Sequence, residues 1–141
     1  MAKMKFTIKG MANLKKKLNN VSDLSQRKAQ FAVVSSSQQI VLKAQTIVPV
    51  NLGKLKQSIK VEYKKDGLQG IISATEKYAP YVEFGTGQFV KVPKGFEKMA
   101  MSFYVNGKGR MKPRPYLIPS WASELPIFRN KLKKIIKDMK L

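Results

Sequence analysis

Between Ala29 and Val48 the apolar residues Ala29, Ala32, Val33, Ile40, Ala44, Ile47 and Val48 recur at three- and four-residue steps. That spacing gathers them on one face of a helix. Asp23 followed by Gln26 fits the N-cap and N3 positions of a capping pair, with Asp in place of Ser or Thr. Pro49 ends the run, because its ring disfavours helical geometry at the preceding residue. The reading is one long helix from Asp23 to Ile47. Its middle, Val33-Val34-Ser35-Ser36-Ser37, forms helix poorly, so neighbouring elements must hold it by packing.

The remaining pattern is mixed. Phe6-Thr7-Ile8-Lys9-Gly10 alternates as a short first strand. Leu14 and Leu18 suggest a helical turn, broken by Asn19-Asn20. Val50-Asn51-Leu52-Gly53 is a turn, and the segment from Leu55 to Tyr63, alternating from Ile59 on, predicts a half-buried strand. Lys64-Lys65-Asp66-Gly67 reads as a hairpin turn, returning through a strand from Leu68 to Ala74. Tyr78-Ala79-Pro80-Tyr81-Val82-Glu83-Phe84 reads as a third extended segment, closed by Gly85-Thr86-Gly87. Residues 88–112 form a long basic loop, of a length that is usually functional or disordered. Met101 to Val105 is a candidate strand within it, with Asn106-Gly107 as its turn. Lys112-Pro113-Arg114-Pro115-Tyr116-Leu117-Ile118-Pro119 reads as rigid and extended. A final helix follows, with a kink or restart at Pro126 and an apolar stripe of Ile127, Phe128, Leu132, Ile135, Ile136 and Met139. With 141 residues, one domain over 1–141 is expected, with a flexible loop at about 88–112.

Charge narrows the function. The chain carries 28 Lys and Arg against 8 Asp and Glu, a net charge of +20. Glu62, Asp66, Glu76, Glu83 and Glu97 lie in the middle of the chain, leaving both ends strongly positive. Such a balance favours a polyanionic or acidic partner. There is no Cys and no His. Disulfides, thiol nucleophiles and thiolate metal sites are thereby excluded, together with the commonest general base. No apolar run approaches a membrane span, and the N-terminus lacks the apolar core of a signal peptide. An intracellular product without cofactor or metal is expected.

No motif assembles a nucleophile, a base and an oxyanion site. Glu76 and Glu83 could meet, but surface carboxylates are far commoner. Gly85-Thr86-Gly87 lacks the Gly-Lys-Ser/Thr ending of a phosphate loop and the third Gly of a dinucleotide loop, so it reads as a sharp chain exit. Basic residues interleaved with aromatics over 89–116 could contact duplex DNA without sequence preference, yet no recognised nucleic-acid-binding signature is present. The terminal stripe has the width of a core-packing helix rather than a membrane-surface one.

Three segments in this order and spacing resemble the head–tail joining, or tail-completion, proteins of the neck of long-tailed double-stranded-DNA bacteriophages. They are Val48-Pro49-Val50-Asn51-Leu52-Gly53-Lys54-Leu55 with Ser58-Ile59, then Tyr78 to Gly87, then Pro113-Arg114-Pro115-Tyr116-Leu117-Ile118-Pro119-Ser120. This chain has Asn51-Leu52-Gly53 where the family usually has Asp-Thr-Gly, and Tyr116 where Phe is usual.

The resemblance implies an α+β fold, with a small antiparallel sheet packed by a long helix and a C-terminal helix. It implies a structural virion protein of a phage or prophage, assembled in the bacterial host cytoplasm. A ring, six-fold by this resemblance, would join the head connector to the tail. The partners implied are other neck and tail proteins, with possible non-specific contact with packaged DNA and no membrane or catalysis. Glu83, Phe84, Gly85, Thr86, Gly87, Arg114 and Tyr116 are expected at subunit or partner interfaces, with Tyr81 and Phe84 equally readable as core. Lys94, Lys108, Arg110 and Lys112 are expected as charge contacts of a projecting loop. A non-specific double-stranded-DNA-binding protein and a regulatory module acting on an acidic partner are the alternative readings.

Overall fold

The computed structural model describes residues 4–7, 23–49, 51–101 and 109–138. The elements are β1 (Met4–Thr7), α1 (Asp23–Ile47), α2 (Gly53–Ser58), β2 (Ile59–Lys64), β3 (Gln69–Ala74), α3 (Ala79–Phe84), α4 (Glu97–Met101) and α5 (Leu117–Asp138). The architecture is α+β. The helical turn expected at Leu14 and Leu18, most of the strand and turn expected in 101–107, and Lys108 lie outside the described residues.

The long helix forms as its periodicity requires and stops at Pro49. Val48 donates the last helical hydrogen bond to Ala44 O at 3.0 Å, and Leu52 N–H turns back onto Pro49 O at 2.9 Å. At about 100° per residue, Ala29, Ala32, Val33, Ser36, Ser37, Ile40 and Ala44 cover one broad arc, and all are buried. The arc is broad because α1 is covered twice, by β2 and β3 and by α5. Ser36 and Ser37, both buried, are small enough to let neighbours come close to the helix there. A Cβ on Gly70 of β3 would collide with Ser37 Oγ, so a glycine facing a serine sets the helix-to-sheet spacing.

The sheet is antiparallel with order β1-β3-β2. Ile59 pairs with Ala74 and Lys64 with Gln69, while Met4 pairs with Ala74 and Thr7 with Ile71 on the other edge of β3. Gly70, Ile72 and Ala74 alternate inward. The hairpin turn has positive φ at Lys65, Asp66 and Gly67. Gln30 Nε2 donates to Asp66 O at 2.7 Å, which holds the turn against α1.

Four local expectations are corrected. Residues 53–58 form a helical turn before the strand begins, with Leu55 and Ser58 buried. The segment from Ala79 to Phe84 is helix, not strand. Pro80 stands in its first turn, where a missing N–H costs nothing. The third strand of the sheet is β1 instead. Met101 closes α4 rather than opening a strand. Finally, α5 begins at Leu117, so Pro119 lies in its first turn, and the helix continues through Pro126 to Asp138 without a restart.

The helices α1 and α5 are antiparallel, with a polar seam inside their contact. Glu124 is buried, and its Oε2 lies 2.9 Å from Lys43 Nζ while Oε1 lies 3.9 Å from Lys131 Nζ. Lys131 Nζ also reaches Ser35 Oγ at 3.1 Å and Ser36 Oγ at 3.3 Å.

Candidate functional site

The segment from Tyr78 to Gly87 and the one from Arg110 to Ile118 meet at the base of the long loop. Helix α3 turns Ala79, Pro80, Val82, Glu83 and Phe84 into the interior. Glu83 thus faces the point where the chain returns to start α5. Its Oε2 accepts Tyr116 N–H at 2.7 Å and Leu117 N–H at 3.1 Å, and its Oε1 accepts Ile118 N–H at 2.8 Å. These are orphan donors at a helix N-terminus, where a carboxylate is also favoured by the helix dipole. Burial pushes the Glu83 carboxyl above the usual glutamate range, and the three N–H donors oppose that shift without cancelling it.

Tyr116 is fully buried beside this cap, and its hydroxyl donates to Ala79 O at 3.2 Å. Burial first, and then the nearby Glu83 carboxyl and Tyr78, push its phenol upward. Ser120 Oγ–H donates to Tyr116 O at 2.6 Å, tying the first turn of α5 to the same knot.

Beyond α3 the chain leaves through Gly85, at φ 82° and ψ −179°. Only glycine adopts that conformation readily. Space forbids a side chain as well: a Cβ would stand 2.9 Å from Pro113 Cδ and 3.0 Å from both Met111 O and Phe89 O. Thr86 closes the clamp, its N–H donating to Met111 O at 2.8 Å and its Oγ1 accepting Met111 N–H at 2.7 Å. Lys91 N–H donates to Phe84 O at 2.9 Å and Arg114 N–H to Val82 O at 2.7 Å. Both ends of the loop are therefore pinned to the C-terminal end of one short helix.

The described part of the loop folds back rather than projecting. Phe96 meets Trp121 of α5 edge to face, with ring centroids 5.9 Å apart. Val92, Met99 and Ala100 also pack against the core. An open groove of about 430 Å³ remains at the loop base, with Glu83, Pro113 and Pro115 among its lining residues.

The expected interface residues divide into two groups. Glu83, Phe84, Gly85, Thr86 and Tyr116 are buried in their own chain, so the side chains of Glu83, Phe84 and Tyr116 act within the subunit. Gly87 is half-buried, and Arg114 is exposed beside the clamp. Lys94, Arg110 and Lys112 are exposed, with Lys112 Nζ 5.8 Å from the Phe89 ring centroid. The Glu124 seam escaped sequence reading. Its one signal was an isolated acid on a helix otherwise rich in cations.

Among the described residues no helix is long and apolar enough to cross a membrane, and no group of three or more acidic, His or Cys residues could hold a metal. A protein-family model described as "Bacteriophage HK97-gp10, putative tail-component" matches residues 12–85, just over half of the 141-residue chain. The match spans α1, α2, the β2–β3 hairpin and α3, and ends at Gly85. Comparison with curated proteins and with solved structures gave no match.

Proposed function

Since the chain belongs to the HK97-gp10-like family of bacteriophage tail components, we propose that it is a non-catalytic, single-domain part of the virion that joins the head connector to the tail as a six-fold ring. The observation that carries this reading is the clamped loop. A joining protein must keep its fold while its surface is loaded by unlike neighbours above and below. Here Glu83, Gly85 and Thr86 fix both loop ends to one helix, leaving Lys94, Arg110, Lys112 and Arg114 exposed around it. The clamp is the stiff part, and the cations are the surface offered to neighbours or to DNA passing through the ring.

Loss of the gene tests the reading. The expected lysate contains DNA-filled heads and complete tails that remain separate, and adding the purified chain joins them into infectious particles. Joined, infectious particles formed without the protein would overturn it. The net charge of +20 supports DNA contact as a second activity of the same surface, with affinity falling steeply with salt.

A further inference from the structure

The helices α1 and α5 leave an open groove of about 650 Å³ at the end where Arg27 and Lys28 face Lys134. We infer that this groove seats an acidic, amphipathic segment of an unlike protein partner. The inference goes beyond the joining role and does not depend on where in the particle the chain sits.

Two features of the groove act together. Its floor and wall are apolar, made by Ala32, Ile135 and Phe31. Phe31 is 73% exposed, a large apolar side chain held in water on α1 beside the buried Ala32. Leu24 and Leu42 stand on the same outward line of α1 and are exposed too. The rim is cationic: Arg27, Lys28 and Lys134 have no ion-pair partner among the described residues, and Asp138 is the single acid on the lining. Lys131 is drawn toward Glu124 and the α1 serines.

Charge selects the occupant. A second copy carries only 8 Asp and Glu against 28 Lys and Arg, so it has few carboxylates to set against this cationic rim. Duplex DNA satisfies the cations but leaves Phe31 and the floor in water, because phosphates carry nothing to cover them. A helix with carboxylates on one side and aliphatic residues on the other answers both rim and floor. Phe31 is then the central anchor, in the position where aromatic side chains contribute most to binding.

The test is fluorescence anisotropy on the full chain with a labelled helical peptide of about 16 residues, glutamates along one face and leucines along the other. The controls are a shuffled peptide of identical composition and a short DNA duplex. The ordered peptide is expected to bind at least about tenfold more tightly than the shuffled one. Phe31→Ser should weaken the ordered peptide at least about tenfold while leaving duplex binding within about twofold. Lys134→Glu should weaken the peptide as well. No binding of the ordered peptide at about 1 mM, or equal binding of both peptides, overturns the inference. A loss of duplex binding with Phe31→Ser would make the groove a DNA site, and a loss of self-association would make it a contact between copies; either result also overturns it. Absence of the chain from phage particles would remove the joining role and leave this test standing.

Discussion

Replacing Glu83 by Ala removes one carboxylate and strands three donors at once. The N–H groups of Tyr116, Leu117 and Ile118 are buried where they meet it, so water does not readily replace the lost acceptor. Hydrogen bonds to a charged group contribute about 1.5–3 kcal/mol each, and the desolvation of Glu83 itself offsets part of that sum. The expected net cost is about 3 kcal/mol, above the usual range for an exposed cap. With a urea slope of about 2 kcal/mol/M, the unfolding midpoint should fall by about 1.5 M, read by circular dichroism. Glu83→Gln keeps one acceptor oxygen and should lose roughly half as much. A midpoint shift below about 0.5 M for the Ala variant would refute the claim that Glu83 organises the start of α5.

The same residue fixes the sign of a pH effect. Its folded-state pKa is raised by burial, so the native chain holds the proton more tightly than the unfolded chain. The part of its contribution that depends on the bound proton is fully present below the ordinary glutamate value and is lost as pH rises through the raised one, while the hydrogen bonds to the backbone donors remain. The stability gap between wild type and Glu83→Gln should therefore shrink as pH climbs from about 4. A gap that widens would mean that the backbone donors outweigh burial.

Three further outcomes are expected. Gly85→Ala combines a positive φ with close approaches to Pro113, Met111 and Phe89, and should cost about 3 kcal/mol in the same urea assay. Gly70→Ala should cost about 1–3 kcal/mol, and Ser37→Ala should restore most of it. Ser37→Ala alone should be near neutral, because Ser37 Oγ is buried with no hydrogen-bond partner among the described residues. Lys43→Met should cost about 2 kcal/mol by leaving the Glu124 carboxylate buried, whereas Glu124→Leu should cost about 1 kcal/mol or less, because the Lys43 and Lys131 side chains are 34% and 36% exposed and can turn to water. The reverse order in thermal melts would contradict the assignment of Glu124 as the dependent partner.

Much of the scaffold was legible because it rests on period and punctuation. Apolar spacing gave α1, Pro49 gave its end, Asp66-Gly67 gave the hairpin, and the stripe through Phe128 and Ile135 gave α5. The segment 79–84 was misread because six residues rich in aromatic and β-branched types fit either period, and Pro80 suits a first helical turn as well as an extended strand. The role of Glu83 was hidden for a different reason: its partners are backbone groups 33 to 35 positions further along, and backbone donors leave no trace in side-chain pattern. The Lys43–Glu124 pair is separated by 81 positions, so only the packing of α1 on α5 reveals it. Burial of Phe84 and Tyr116 likewise follows from the way α3 is turned, which the sequence left open.

The joining role is tested most directly by cryo-electron microscopy of intact particles, with this chain fitted into the density of the neck. The account predicts a six-fold ring between the head connector and the tail tube, with the exposed face around Lys94, Arg110 and Arg114 against a neighbouring chain or the DNA path. Particles that lack the chain altogether, or that carry it on the outer capsid surface away from the junction, would contradict it.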